Sequence, residues 1–310
     1  MRPFKTAILI PLLAFFSASL TSGICSASED GSPLTPEYSQ AFAKAQISAN
    51  MQSNDLNELS GLIASHSNPG LFWAHNDSGD EARIFLIDPN TGEIKLEARL
   101  DKVNAVDFED ITLRVAQSGT HLIIGDIGDN RGVRDRLALY QIREPKLGSN
   151  KQIIIPASEI QTMHIRYEEG ARDAETLMSD ADGSLLIISK REDSNYIYQF
   201  DFEAGKDRLL TALARINIKD ITAGDIHSSG AILLRNYAQI YYWPAPDKNS
   251  TKKADFSIIE RLSKEAPQLV MTAPEPQGEA IAWGLETGFY SIPEKPFFFE
   301  QMIFYYPSQP

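Results

Sequence analysis

After Cys25 the chain contains no cysteine. Disulfide staples, thiol catalysis and zinc–thiolate centres are therefore excluded for everything that follows, and the fold has to be held by its core. Long apolar runs are equally scarce. Residues 7–20 form one of about 14 residues, shorter than an ordinary membrane span, and no later run approaches that length. Arg2 and Lys5 precede it, and the small residues Cys25-Ser26-Ala27 follow. This tripartite start is expected to be a signal peptide, residues 1–27, cleaved after Ala27 to give a periplasmic or secreted product. A lipid anchor on Cys25 is the weaker reading, because Ile24 is bulky where such signals want a small residue.

Positive charge is the next shortage: 29 Lys and Arg stand against 42 Asp and Glu. Removing residues 1–27 takes away Arg2 and Lys5 and no acid, which moves the net charge from −13 to −15. Such a balance argues against nucleic acid and anionic membrane surfaces as partners. The motifs of the common catalytic folds are missing too. There is no Gly-x-Ser-x-Gly elbow, no His-Glu-x-x-His, no P-loop and no dinucleotide fingerprint. The five histidines, His66, His75, His121, His164 and His227, are dispersed.

What the sequence does have is repetition. Residues 58–80, ELSGLIASHSNPGLFWAHNDSGD, read as two strands, 59–65 and 71–75, joined by a turn through Asn68-Pro69-Gly70. Antiparallel pairing sets the start of the first beside the end of the second, so Glu58 is expected near His75, Asn76, Asp77 and Asp80. This acidic corner recurs every 50 to 65 residues or so, in the range expected of propellers and solenoids. The starts align as Ser60-Gly61-Leu62, Glu109-Asp110-Ile111, Glu175-Thr176-Leu177, Gly224-Asp225-Ile226 and Glu279-Ala280-Ile281.

A second apolar strand follows each start, at 71–75, 121–126, 184–190, 231–237 and 288–292. Aromatic and β-branched third strands are expected at 83–88, 137–143, 196–202, 239–243 and 301–306, and fourth strands at 94–100, 160–167, 209–216 and 268–272. The last copy lacks a fourth strand, which leaves a place for a strand from residues 39–50 to close the ring. The fold expected is all-β: a propeller of four-stranded antiparallel blades spanning residues 51–310, after a polar segment 28–50. Five blades are counted, with a sixth if the long second repeat, which carries residues 145–156, hides one. A β-sandwich or two small β domains is the alternative architecture.

In a propeller the first strands line the central channel, so the repeated corners collect at one channel mouth. Gathered there are Glu58, Glu109, Asp110, Glu175, Asp225 and Glu279, with His75, Asn76, Asp77, Asp80, Asp126, Asp129, Asn130, Lys190, Arg191, Arg235, Asn236 and Tyr237 from second-strand ends. Carboxylates so close together need compensation. A hard cation such as Ca²⁺ suits Asp, Glu and Asn oxygens, and the metal-ligand set expected is Glu58, Asn76, Asp77, Glu109, Asp126, Glu175, Asp225 and Glu279. Lys190, Arg191 and Arg235 can instead pair with the acids directly, and water can fill a wide channel. Neither Asx/Gly run, Asn76–Asp80 or Asp126–Gly132, fits an EF-hand series, and each acid taken singly has structural uses such as accepting backbone hydrogen bonds. Candidate catalytic groups are His75, Asp77, Lys190 and Arg235; candidate substrate contacts are Lys190, Arg191, Arg235 and Tyr237.

The blocks ELSGL, FWAHNDSGD, FEDIT, GDIGDN, DAETL and QGEAIA, spread over residues 55–307, resemble those of uncharacterised exported bacterial β-propeller proteins. These are loosely related to phytase-like, NHL and gluconolactonase/regucalcin-like propellers. Phytase-like propellers bind Ca²⁺ in an acidic channel and hold phosphate with Lys and Arg; regucalcin-like lactonases bind one divalent metal through Glu, Asn and Asp. The resemblance implies channel acids at Glu58, Glu109, Glu175, Asp225 and Glu279, and anion contacts at Lys190 and Arg235. Two functions are expected to compete: a metal-dependent hydrolase of an anionic ester, with a phosphoester as the expected class, and a non-catalytic propeller whose face holds a sugar, a peptide or a cell-envelope partner. On either, the partner expected is a small anionic molecule or an envelope component, and the protein a monomer. A lactonase is a third candidate. Fold analogy does not choose among them.

Overall fold

The structure is a computed structural model that describes residues 37–116, 119–247, 257–285, 287–295 and 300–309. The expected export signal, its cleavage point and Cys25 lie outside the described residues. Five strands form the innermost layer: Leu59–Ala64, Phe108–Ala116, Ala174–Ser179, Ile221–Ile226 and Gly278–Trp283. Each packs against the inner strand of both neighbouring sheets, closing a ring of five. Small residues in these strands (Gly61, Ala174, Ala223, Gly224, Ala280) allow backbones to approach closely around the axis.

Outward from each inner strand the chain runs as an antiparallel meander. The second strands are Phe72–Asn76, Gly119–Asp126, Leu185–Ser189, Ile232–Asn236 and Phe289–Pro293. The third are Arg83–Ile87, Leu137–Arg143, Asn195–Phe200, Ile240–Trp243 and Met302–Tyr306. Four blades end in Ile94–Leu100, Gln161–Tyr167, Ala214–Ile216 and Gln268–Val270. The outer strand of the fifth blade is Gln46–Asn50, antiparallel to Met302–Tyr306, so both ends of the chain share one sheet. Phe42 reinforces this closure by packing edge-on against Tyr242 and Phe289, with ring centroids 4.9 and 4.8 Å away. The fold is a five-bladed β-propeller.

The core lies between blades rather than along the axis. Trp73, Leu86, Leu122 and Ile124 fill the space between the first two blades, and Leu139, Met163, Ile187 and Tyr198 the next. Leu62, Phe85 and Ile292 join the fifth blade to the first, and Leu233, Ile240, Phe289 and Tyr306 join the fourth to the fifth. Removing one such leucine side chain costs about 2–5 kcal/mol.

One irregularity is repeated in every blade. The inner strand shifts register against the second strand between Leu59 and Leu62, Phe108 and Asp110, Ala174 and Thr176, Ile221 and Ala223, and Gly278 and Ala280. These are β-bulges, which locally break the ladder and re-aim a side chain. The bulged residues are Glu109, Glu175, Thr222 and Glu279, with Ser60-Gly61 at this place in the first blade. The fourth copy therefore differs from expectation: Thr222, not the Gly224-Asp225-Ile226 start, corresponds to Glu175. Asp225 falls three positions further along the strand, toward the other end of the channel.

Three further elements depart from the sequence reading. The long second repeat makes no sixth blade; its Gln152–Ile155 returns to pair in parallel with Ile94–Leu100 of the first blade. The expected strand 209–216 divides, because Asp207–Leu210 joins Gln161–Tyr167 of the second blade in parallel, while Ala214–Ile216 completes the third. A short helix, Ile258–Lys264, starts at a capping box formed by Ser257 and Glu260.

Candidate metal centre

The ladder at the inner-strand starts fixes which side chains meet. Asp77 N donates to Glu58 O at 2.8 Å, Lys190 N to Asp173 O at 3.0 Å, Gly128 N to Asp107 O at 3.3 Å and Glu294 N to Gln277 O at 3.1 Å. Equivalent positions thus form tiers around one mouth. Before the inner strands stand Glu58, Asp107, Asp173, Asp220 and Gln277; two residues later, at or beside the bulge, stand Ser60, Glu109, Glu175, Thr222 and Glu279. The second strands exit at Asp77, Lys190, Tyr237 and Glu294.

Adjacent blades bring two carboxylate triads together, Asp77–Asp107–Glu109 and Glu109–Asp173–Glu175, with one oxygen per residue lying within 4.8 Å of the others in each. Glu109, Asp173 and Glu175 are buried. Asp107 Oδ1, Glu109 Oε1 and Glu175 Oε2 are sealed from solvent and have no hydrogen-bond partner among the described residues. Gly128 makes the convergence possible, since a Cβ there would overlap Glu109 Oε1 and Asp107 Oδ2. Burial, reinforced by Asp77, pushes the Asp107 carboxyl up to about 6. Burial likewise raises Glu175 to about 7 against the pull of Lys190, and Glu279 to about 9 with Glu175 adding to it. Glu109 is raised well above the carboxylate range by burial and by Glu175.

An uncompensated cluster of this kind is what a hard cation relieves. Ca²⁺ takes oxygen ligands at about 2.3–2.6 Å, so oxygens up to about 5 Å apart can share one ion. The donor set, carboxylate oxygens with no sulfur or imidazole, fits an ion of that class. The acidic residues present could bind a metal ion.

The second triad already carries cations. Lys190 is buried, pairs with Glu175 and donates to Tyr237 OH at 2.6 Å. Burial pulls its ammonium down, but Glu175 outweighs this and holds it above the usual lysine range. Asp173 accepts from Arg191 Nε at 2.7 Å and from Asp129 N at 2.8 Å. Arg191 also reaches Asn130, and its side chain is 46% exposed.

The structure therefore brings together Asp77, Glu109, Glu175, Lys190, Arg191, Tyr237 and Glu279 of the expected set, with Glu58 on the rim. It places others elsewhere. Asp126 accepts from Arg134 Nη2 at 2.6 Å and from Asp107 N at 3.0 Å, and belongs to neither triad. Asn76 donates to Asp80 at 2.7 Å and Asp55 O at 2.6 Å, which fixes the loop. His75 is fully buried, its Nδ1 2.8 Å from Asn76 O, and burial lowers it to about 4; it is a neutral packing residue against Phe108.

Arg235 was expected as an anion contact, but its guanidinium is buried between the last two blades, on Glu275 at 2.9 Å and on Ser291. Register explains the difference: Ser189 pairs with Ala174 and Asn236 with Ile221, so Lys190 corresponds to Tyr237 and Arg235 to Ile188. Asp225 accepts the Trp283 backbone N–H at 2.9 Å and lines a cavity of about 410 Å³ with Thr112, His227 and Trp283. Asp110 similarly accepts Leu177 N at 2.8 Å, tying the second blade to the third.

Asp107 and Asp173 are the site residues the sequence reading left out. Their signal was present as Asp-x-Glu at 107–109 and 173–175, the counterpart of Glu58-x-Ser60.

No protein-family model and no curated protein matches the sequence. Solved structures with a similar chain path include the PQQ-bound aldose sugar dehydrogenase of Streptomyces coelicolor, 11% identical at a TM-score of 0.48, covering 89% of this chain and all of that one. A gluconolactonase of Xanthomonas campestris is 11% identical at a TM-score of 0.47, covering 88% of this chain and 95% of its own. A streptogramin B lyase is 14% identical at 0.43, covering 87% of this chain and 100% of its own. The likeness is one of chain path, and no activity passes from these proteins to this one. Fold and site together define the class: a five-bladed propeller with a buried carboxylate cluster at one channel mouth.

Proposed function

We propose that the mouth holds a divalent cation of the Ca²⁺ type and that the protein is an exported, metal-dependent hydrolase of an anionic ester, with a phosphoester as the preferred substrate class. One observation carries this reading: Asp107, Glu109 and Glu175 each keep a buried carboxylate oxygen without a hydrogen-bond partner among the described residues, in two carboxylate triads that meet at Glu109. When bound, such an ion polarises a phosphoryl oxygen and lowers the pKa of a bound water. The chain's own part is to hold the carboxylates in place, and to offer Arg191 and Tyr237 at the rim to an anionic group. Lys190, committed to Glu175, supports the site electrostatically from below.

A second reading, a non-catalytic binding propeller of the cell envelope, is favoured by a different observation. His75 is sealed and neutral, and Lys190 and Arg235 are each paired with a buried carboxylate, so three of the four candidate catalytic groups are committed to the structure and Asp77 alone is left at the mouth. Metal analysis of the purified mature protein, followed by a phosphoester and lactone screen with and without added Ca²⁺, separates the two. Turnover that needs the ion supports the hydrolase. A bound ion without turnover supports the binder, and no ion removes the basis for the hydrolase. Export follows from the residue 1–27 pattern, and N-terminal sequencing should begin at Ser28.

A further inference from the structure

The two carboxylate triads are not equivalent, and their difference assigns the ion. Both contain Glu109, which is 2% exposed with Oε1 unpartnered, so it stands between them. On one side, Asp173 has both oxygens engaged, by Asp129 N and by Arg191, and Glu175 has one oxygen on Lys190. On the other side, among the described residues, Asp107 and Glu109 carry no ion pair, and the one hydrogen bond to the Asp77 carboxylate comes from its neighbour Ser78 N. Arg134, the cation whose charge reaches Asp107, is paired with Asp126.

We propose that the mouth contains two overlapping cation seats that share Glu109, of which a divalent ion takes Asp77–Asp107–Glu109 while the Lys190 ammonium, with Arg191, fills Glu109–Asp173–Glu175. This rests on the cation reading above and goes beyond it in fixing seat, stoichiometry and the role of Lys190. Lys190 is a tethered stand-in for a second ion. An ion binds beside it and not on it, because placing another dication there would require expelling a buried ammonium from a pair whose partner oxygen has no replacement. Gly128 bounds the first seat, since the overlap of its added Cβ falls on Asp107 and on the shared Glu109.

The test is calorimetric titration of the metal-stripped mature chain with CaCl₂, read as ions bound per chain. Wild type should bind one. Lys190→Met, which empties the second seat of its cation, should bind two, and its melting temperature should rise more on adding Ca²⁺ than that of wild type. Gly128→Ala should lose the single ion while keeping the Lys190–Glu175 pair. If Lys190→Met does not fold without metal, Lys190→Gln, whose amide can still reach Tyr237, gives the same readout. Two ions in wild type, or one in a folded Lys190 variant, would overturn the seat assignment while leaving the cation reading intact. No binding by any of the proteins would instead remove the cation reading itself.

Discussion

Lys190 and Arg235 show how a residue's place in the register decides what it does. Both are long cations near second-strand ends, and both are 1% exposed with a carboxylate partner. Removing one member of a buried pair leaves the other charge stranded, at about 3–5 kcal/mol. Lys190→Met and Arg235→Met should each lose about that much in denaturant unfolding of the metal-free protein. Their responses to Ca²⁺ should differ, since Glu275 lies between blades with Ser291 and Tyr306, away from the triads. Calcium should restore much of the Lys190→Met loss and none of the Arg235→Met loss. Gly278 is tied to the same arrangement: a Cβ there would occupy the place of the Arg235 guanidinium, so Gly278→Ala should be nearly as damaging as Arg235→Met.

The carboxylates of the mouth make stability fall with pH. Burial raises Asp107 from 3.8 to about 6, Glu175 from 4.5 to about 7 and Glu279 from 4.5 to about 9. Between those limits the folded chain binds more protons than the unfolded chain. The stability they contribute is complete below about pH 4 and is lost progressively as pH rises through the folded values, up to about 9. In chelator, denaturant midpoints should therefore decline from pH 5 to pH 9, where many proteins are flat. Saturating Ca²⁺ should flatten the decline, because the ion replaces the protons.

At the scale of elements, the repeat was legible and its exceptions were not. Inner and second strands announce themselves through Asx/Gly turns, and four of the five starts align on the bulged residue or its place. The fourth does not, because Gly224-Asp225-Ile226 imitates the acid–apolar step, while the structural counterpart, Thr222, carries a hydroxyl that donates to Gly278 O at 2.9 Å. The strands Gln152–Ile155 and Asp207–Leu210 carry no local turn signal, because each pairs in parallel with a distant edge. The helix Ile258–Lys264 is seven residues long, too short for a periodic signal, although its Ser257-x-x-Glu260 box was readable.

The site divides in the same way. Sequence located the mouth and most of its acids, but side-chain direction depends on the bulge, which no residue type marks. Asp110 and Asp225 consequently became blade-to-blade acceptors, while Asp107 and Asp173 entered the cluster.

For the whole molecule, the ring is closed by one strand from the beginning of the chain. Gln46–Asn50 supplies the outer edge of the fifth blade, and Phe42 and Tyr38 reach onto the fourth and fifth. A chain that starts at residue 52 should expose the edge of Met302–Tyr306 and aggregate or melt at clearly lower temperature. A chain that starts at Ser28 should keep full stability, as circular dichroism melts of the two would show. Among the described residues no helix is long and apolar enough to cross a membrane.

Five blades meeting at one acidic mouth is the central claim, and it concerns a cation more than any substrate. The most direct measurement is the thermal unfolding of the mature protein at pH 8, first in EDTA and then after CaCl₂ is restored in excess. Binding to the folded state alone stabilises it by mass action, about 2.7 kcal/mol at a hundredfold excess over Kd. The melting temperature should fall in chelator and recover with calcium, and Glu109→Gln should abolish the recovery. A melt indifferent to both treatments would contradict the account and return the mouth's acids to a structural role.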